Sequence, residues 1–183
     1  MILFINGPFG VGKTTVARLL VNELPRAALF DPELAGAFVW HLTRDMDDDV
    51  EARTDFQDHP LWEPMVVETA RLLHRQYGRT LVIPMSVWRR DRFLRLAEGL
   101  RIVDPDLRLL HLTASEETLR SRIRGRPESE GDHGWCLAHL EVCMRASLDP
   151  TFGTRISTDD RTPEEVLGEI LSNLPVLDGW SRN

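Results

Sequence analysis

Residues 5–20 read INGPFGVGKTTVARLL, and in this stretch Gly7, Gly12, Lys13 and Thr14 stand at the spacing G-x-x-x-x-G-K-[ST]. No other feature of the chain restricts its fold as strongly. The apolar run ILFI (2–5) precedes the glycines, and Val16, Leu19, Leu20 and Leu24 follow at near-helical intervals. A strand, a glycine-rich turn and a helix form a phosphate-binding unit. The glycines let the backbone curl with its N–H groups inward, and the helix start adds a partial positive charge. Gly7, Phe9, Gly10, Val11, Gly12, Lys13, Thr14 and Thr15 are therefore expected to wrap nucleotide phosphates. Lys13 would reach the β- and γ-phosphates, and the Thr14 hydroxyl would ligate Mg²⁺.

The remainder alternates strand and helix signals. AALF (27–30), TLVIP (80–84), LRLLHLT (107–113) and TRIST (154–158) read as further strands. Helices are expected over 14–24, 33–42, 61–77 after Pro64, 90–100, 115–126, 135–148 and 162–174. The last opens with Thr162, Pro163 and Glu165, a capping box with proline at the first position. The acidic stretch 43–60 reads as a loop, with at most a turn of helix. This pattern predicts one α/β domain over residues 1–183, a five-stranded parallel sheet with helices on both faces.

At 183 residues the chain is long enough for a full core, and 42% hydrophobic residues is ordinary globular composition. A net charge of −7 argues against a broad nucleic-acid or anionic-membrane footprint. No apolar run is long enough for a transmembrane helix. The first strand starts at residue 2, which leaves no room for a signal peptide. Cys136 and Cys143 lie too far apart along one helix to bridge, so two reduced thiols in a cytoplasmic protein are expected. A monomer and a homodimer both remain open.

Switch GTPases need N-K-x-D and D-x-x-G, and neither is present. Large motor ATPases carry an acid at the end of a hydrophobic strand, which TLVIPMS and LRLLHLT both lack. The acid that does close a strand is Asp31. It is a candidate to take the acceptor's proton or to orient a water on Mg²⁺, and Asp-Pro also suits it as a helix N-cap. Four arginines follow the fourth strand. Arg120 and Arg124 share one helical face, and Arg122 and Arg126 share another. A solvated face and a lid that neutralises a transferring phosphoryl group are the two readings, the lid spanning about 120–134 with Gly131 and Gly134 as pivots. Arg122 and Arg126 are the chosen pair.

Together, NGPFGVGKT, FDPE (30–33), DFQDHPLW (55–62), VIPMSV (82–87) and TASEETLRSRIR (113–124) resemble the ATP-binding tunicamycin resistance proteins, from the first strand through the lid. More distantly the layout resembles chloramphenicol, gluconate and shikimate kinases. The resemblance implies a P-loop, nucleoside-monophosphate-kinase-like fold, ATP with Mg²⁺, and a tunicamycin-like small-molecule partner. Some relatives run on into a basic amphipathic tail suited to a membrane surface; this chain stops at LDGWSRN. Asp55, Gln57, Trp62 and Ser86 fall where small kinases build the acceptor site. Gln57 suits a uracil-like edge, and Trp62 suits a flat ring or the core. His59 reads as a loop histidine, and Met85 and Trp88 as packing or pocket. Three functions stay open: a phosphotransferase acting on a nucleoside-sugar, a protein that sequesters the drug without turnover, and a small-metabolite kinase.

Overall fold

The computed structural model describes residues 1–46, 54–127 and 132–175. Parts of two expected loops (47–53 and 128–131, with Gly131) and the LDGWSRN end lie outside the described residues. Five strands, β1 (Ile2–Asn6), β2 (Ala27–Leu29), β3 (Thr80–Pro84), β4 (Leu107–Thr113) and β5 (Thr154–Ser157), form one sheet in the order β2-β3-β1-β4-β5. Every pairing is parallel. The helices are α1 (Lys13–Glu23), α2 (Pro32–Thr43), α3 (Trp62–Tyr77), α4 (Arg90–Val103), α5 (Glu116–Arg124), α6 (His133–Ala138), α7 (Leu140–Ala146) and α8 (Pro163–Ser172).

Strand side chains alternate between two apolar layers, as a sheet covered on both faces requires. From β1, Leu3 and Ile5 pack with Val16 and Leu20 of α1 and Val166 and Ile170 of α8. Ile2 and Phe4 face the other way, onto Trp62 and Val66 of α3 and Phe93 and Leu96 of α4. β1 is central, with β3 on one side and β4 on the other. The crevice at its carboxyl end is where such sheets bind ligands.

Several helix boundaries differ from expectation. α4 runs on to Val103, and α5 stops at Arg124, so Arg126 lies just past its C-cap Gly125. α3 begins at Trp62, before Pro64. Proline is tolerated in a first turn, where no intrahelical N–H bond is lost. The helix expected over 135–148 is two, broken at His139 with φ −95° and ψ 0°. No glycine or proline marks that break; the His139 imidazole Nδ1 lies 2.8 Å from the Trp135 carbonyl oxygen.

Candidate active site

The glycine loop leaves β1 and enters α1 at Lys13, with Gly12 as N-cap and no side-chain cap. The first N–H groups of α1 are thus left for a ligand. The loop is pressed between two neighbours. A Cβ on Gly7 would meet the Leu112 carbonyl oxygen of β4 at 2.5 Å. Gly10, at φ +78°, has Ile123 and the Leu119 carbonyl of α5 within 3.0 Å of the same position. Asn6 anchors the loop's base. Its side chain donates to the Val87 carbonyl and accepts from the Val87 N–H, both at 2.9 Å.

Lys13 Nζ donates to the carbonyl oxygens of Gly7 (3.0 Å) and Pro8 (2.8 Å) and lies 5.8 Å from the centre of the Phe9 ring. Burial lowers its pKa to about 8, against weaker support from Cys143 and Glu33. A desolvated ammonium held only by neutral oxygens is poised for a stronger anion.

Around it opens a cleft of about 650 Å³. Phe9, Gly10, Val11, Gly12, Lys13, Thr14, Thr15, Asp31, Ser86, Arg122 and Arg126 all line it, so the fold unites most of the residues expected from the sequence. Gly7 is buried behind the loop. Arg18 and Arg161 also line the cleft, giving five cationic side chains against the two carboxylates of Asp31 and Glu33. In a chain of net charge −7 this is a local positive field. Arg122 grips Thr158 with two bonds of 2.9 Å, to its hydroxyl and its carbonyl. Arg126 donates to Cys136 Sγ at 3.3 Å, and its buried Nε lacks a partner. Arg120 pairs with Glu116 on the outer face, and Arg124 lies there too.

Asp31 caps α2, accepting from the Glu33 N–H at 2.9 Å, while lining the cleft. The Glu33 carboxyl is raised by desolvation and by the nearby Asp31. Three residues expected at the acceptor lie behind the cleft instead. Trp62 is fully buried and donates to the Pro32 carbonyl at 3.1 Å, so it is a core aromatic and not a wall. Gln57, in a 3-10 turn at Phe56–Asp58, donates its amide to the Ser86 carbonyl at 2.9 Å and thereby braces the cleft floor. Asp55 caps that turn. Its second carboxylate oxygen is buried without a partner, and burial raises its pKa. His59 is buried, bonded to Thr43 (2.9 Å) and to the Leu61 N–H (3.2 Å). Cys136 and Cys143 are free and buried, and burial pushes the Cys143 thiol up to about 12.

The uncapped α1 start, the desolvated Lys13 and the orphan Arg126 Nε together fit a chain of phosphates. Among the described residues no three His, Cys, Asp or Glu side chains form a metal cluster. Thr14 and Asp31 fit Mg²⁺ as it is usually held, by few protein oxygens plus phosphate and water. Asn6, Glu33, Thr158 and Arg161 were not foreseen. Glu33 stood two residues after Asp31 in FDPE, but Thr158 and Arg161 become visible only when β5 lies beside β4.

A family model described as an AAA domain matches residues 2–146. The chain belongs to that AAA domain family. The tunicamycin resistance protein of Deinococcus radiodurans superposes on this AAA domain protein with TM-score 0.73 at 26% identity, covering 93% of each chain. The resemblance expected from the sequence blocks thus holds for that protein. A gluconokinase from Sinorhizobium meliloti 1021 has TM-score 0.63 at 16% identity, covering 93% of this chain and 89% of its own. A shikimate kinase from Acinetobacter baumannii in complex with shikimate has TM-score 0.60 at 18% identity, covering 93% and 90%. These two share the fold. No curated protein sequence matches. Among the described residues no helix is long and apolar enough to cross a membrane.

Proposed function

We propose that this protein is an ATP-dependent phosphotransferase that moves the γ-phosphate to a hydroxyl of tunicamycin or a similar nucleoside-sugar. The observation that carries the reading is Lys13, a half-buried, desolvated cation at an uncapped helix start, beside a carboxylate in the same cleft. ATP supplies the phosphoryl group, and Mg²⁺, held by Thr14 and Asp31 together with phosphate oxygens, would offset its charge. Lys13 and the start of α1 hold the phosphates, and Arg126, just past the end of α5, faces the charge that develops on the transferring group. Asp31 accepts the proton of the acceptor hydroxyl as the new P–O bond forms. The bond between the γ-phosphorus and the bridging oxygen breaks, and ADP leaves with the electron pair. Two free, buried thiols suit a reducing cytoplasm.

A second reading is a protein that binds ATP and drug without turnover. It is favoured by one observation: β3 and β4 end at Pro84 and Thr113, with no acid there to assist the metal.

Asp31→Asn separates the two. Asparagine caps a helix about as well as aspartate, so folding and ATP binding are expected to persist. Phosphorylated tunicamycin, measured by mass, should form roughly 10²–10⁴-fold more slowly. If wild type forms none while still protecting cells, and Asp31→Asn protects equally, the protein sequesters. If Asp31→Asn transfers at the wild-type rate, the base lies elsewhere. Glu33 is then next, since it also lines the cleft, whereas Asp55 is buried behind it and Asp58 is held in ion pairs by Arg89 and Arg92.

A further inference from the structure

One group of aromatic rings near Lys13 belongs to neither core layer as a fully buried member. Phe9 of the glycine loop, Trp88 of the stretch between β3 and α4, Trp135 of α6 and His139 at the α6–α7 break are all half-buried and touch one another. Three distant segments bring them together. Phe9 and Trp135 lie 5.2 Å apart at 73°, Trp88 and Trp135 lie 5.9 Å apart at 60°, and Trp135 and His139 lie 4.2 Å apart at 31°.

The contrast with Trp62 is informative. That indole is wholly buried and its N–H has an acceptor. A buried tryptophan usually satisfies its N–H. Among the described residues, neither Trp88 nor Trp135 has an acceptor for its indole N–H, and neither nitrogen is a buried orphan. Half-buried as they are, their rings and N–H groups stay in part open to something other than this chain's core.

We propose that Phe9, Trp88, Trp135 and His139 form a wall against which the acceptor lays a flat ring, the base of a nucleoside. This rests on the reading that the cleft binds ATP and a second molecule, and it names the class of that molecule. Sheet order, with the ring contacts, assigns the wall to the acceptor and not to ATP. Arg161, Pro163 and Val166 line the cleft on the β4–β5 side of β1, whereas Ser86 lines it after β3, on the opposite side, and Trp88, two residues on, meets Trp135 and His139 there. The base of one nucleotide whose phosphates lie in the loop occupies one side, and the other side is left for the acceptor. The wall also meets the phosphate site, because Lys13 Nζ is 5.8 Å from the Phe9 ring. It is a wall and not a slot. Two parallel faces must stand roughly 7 Å apart to admit a ring, twice the carbon–carbon contact distance. Here the rings meet edge to face at 5.2–6.0 Å. A base therefore stacks on one side, with the indole N–H groups free to donate to its carbonyl oxygens.

The test is calorimetric titration of tunicamycin, and separately of uridine, into the full chain saturated with Mg²⁺ and a non-hydrolysable ATP analogue. Trp88→Leu and Trp135→Leu, on separate segments, should each weaken tunicamycin binding by roughly 5- to 150-fold, the scale of one base–aromatic stack, while Trp88→Phe stays within about threefold of wild type. Affinity for the ATP analogue should change less than about twofold in every variant, and melting should remain cooperative. Wild-type drug affinity in both Leu variants, a Phe variant as weak as Leu, or an equal loss of ATP-analogue affinity would overturn the wall. So would failure of wild type to bind either probe. If the binding results are as expected but no phosphorylated drug forms, the wall stands and phosphoryl transfer alone falls.

Discussion

Lys13 carries an electrostatic tension that a ligand would relieve. Burial costs the ammonium part of its hydration, and two carbonyl oxygens return only some of it. Its folded pKa, about 8, lies below the ordinary 10.5. The unfolded chain therefore holds the proton more tightly, and at neutral pH the charged side chain opposes folding. That cost is relieved as pH rises from about 8 towards 10.5. Phosphate arriving at Nζ reverses the shift, so ATP binding at pH 8 should take up on the order of half a proton per site. Titrations in buffers of different ionisation heat measure this, and zero uptake would remove Lys13 from the phosphate contact. Lys13→Ala should nearly abolish ATP binding, which equilibrium dialysis reads directly. It should also be more stable to urea than wild type at pH 7 in the absence of nucleotide.

At the scale of elements, the site depends on how closely the glycine loop approaches α5. Gly10 provides both the left-handed backbone, at φ +78°, and the missing side chain where Ile123 and Leu119 pack. Gly10→Ala imposes strain and overpacking together, for a combined loss of about 2–4 kcal/mol. Because α5 also carries Arg122 and leads through its C-cap Gly125 directly into Arg126, the variant should lose ATP affinity along with stability. Denaturant melts with and without ATP check both. A variant as stable as wild type would show that the loop yields without disturbing α5. Helix α5 is tied at the same end by Arg122 to Thr158 and at its other end by Ser115 to Asp159.

For the whole molecule, acid sensitivity should follow His111 in β4. Ser147 donates its hydroxyl to the Cys143 carbonyl, so the His111 Nε2–H donates to Ser147 Oγ (2.8 Å), and Nδ1 is left bare and buried. Burial, with Lys13 and Arg155 nearby, lowers its pKa from 6.5 to about 4. A depressed folded pKa means stability that is present above pH 6.5 and lost as pH falls towards 4. Between pH 7 and pH 5 the loss from this one group is about 2 kcal/mol. His111→Gln keeps a donor for Ser147 and should flatten that part of the urea-measured pH profile. An unchanged profile would mean that other groups set it.

The sequence by itself determined what depends on short spacing. The strand–loop–helix around Lys13 was legible because its residues act within a few positions of one another. The parallel sheet was legible because strand and helix signals alternate. The capping box at Thr162–Glu165 was legible for the same local reason, and it is present. Helical spacing predicted that Arg122 and Arg126 share a face; α5 ends at Arg124, yet its packing on the glycine loop brings both into the cleft and leaves Arg120 and Arg124 outward. Trp62 and Trp88 were ambiguous in the same way. An indole reads alike in a core and in a pocket, and the answer came from Pro32 and Phe56 closing over Trp62 while Phe9 and Trp135 left Trp88 half open. Asp31 caps α2, as Asp-Pro foretold, and Asp55 caps a turn, a role that was not foreseen; which carboxylate lines the cleft and which is buried behind it followed from where the sheet set the two segments. Spacing fixes the direction of a side chain relative to its own helix or strand; burial and contact depend on segments dozens of residues away, which only the folded sheet brings alongside.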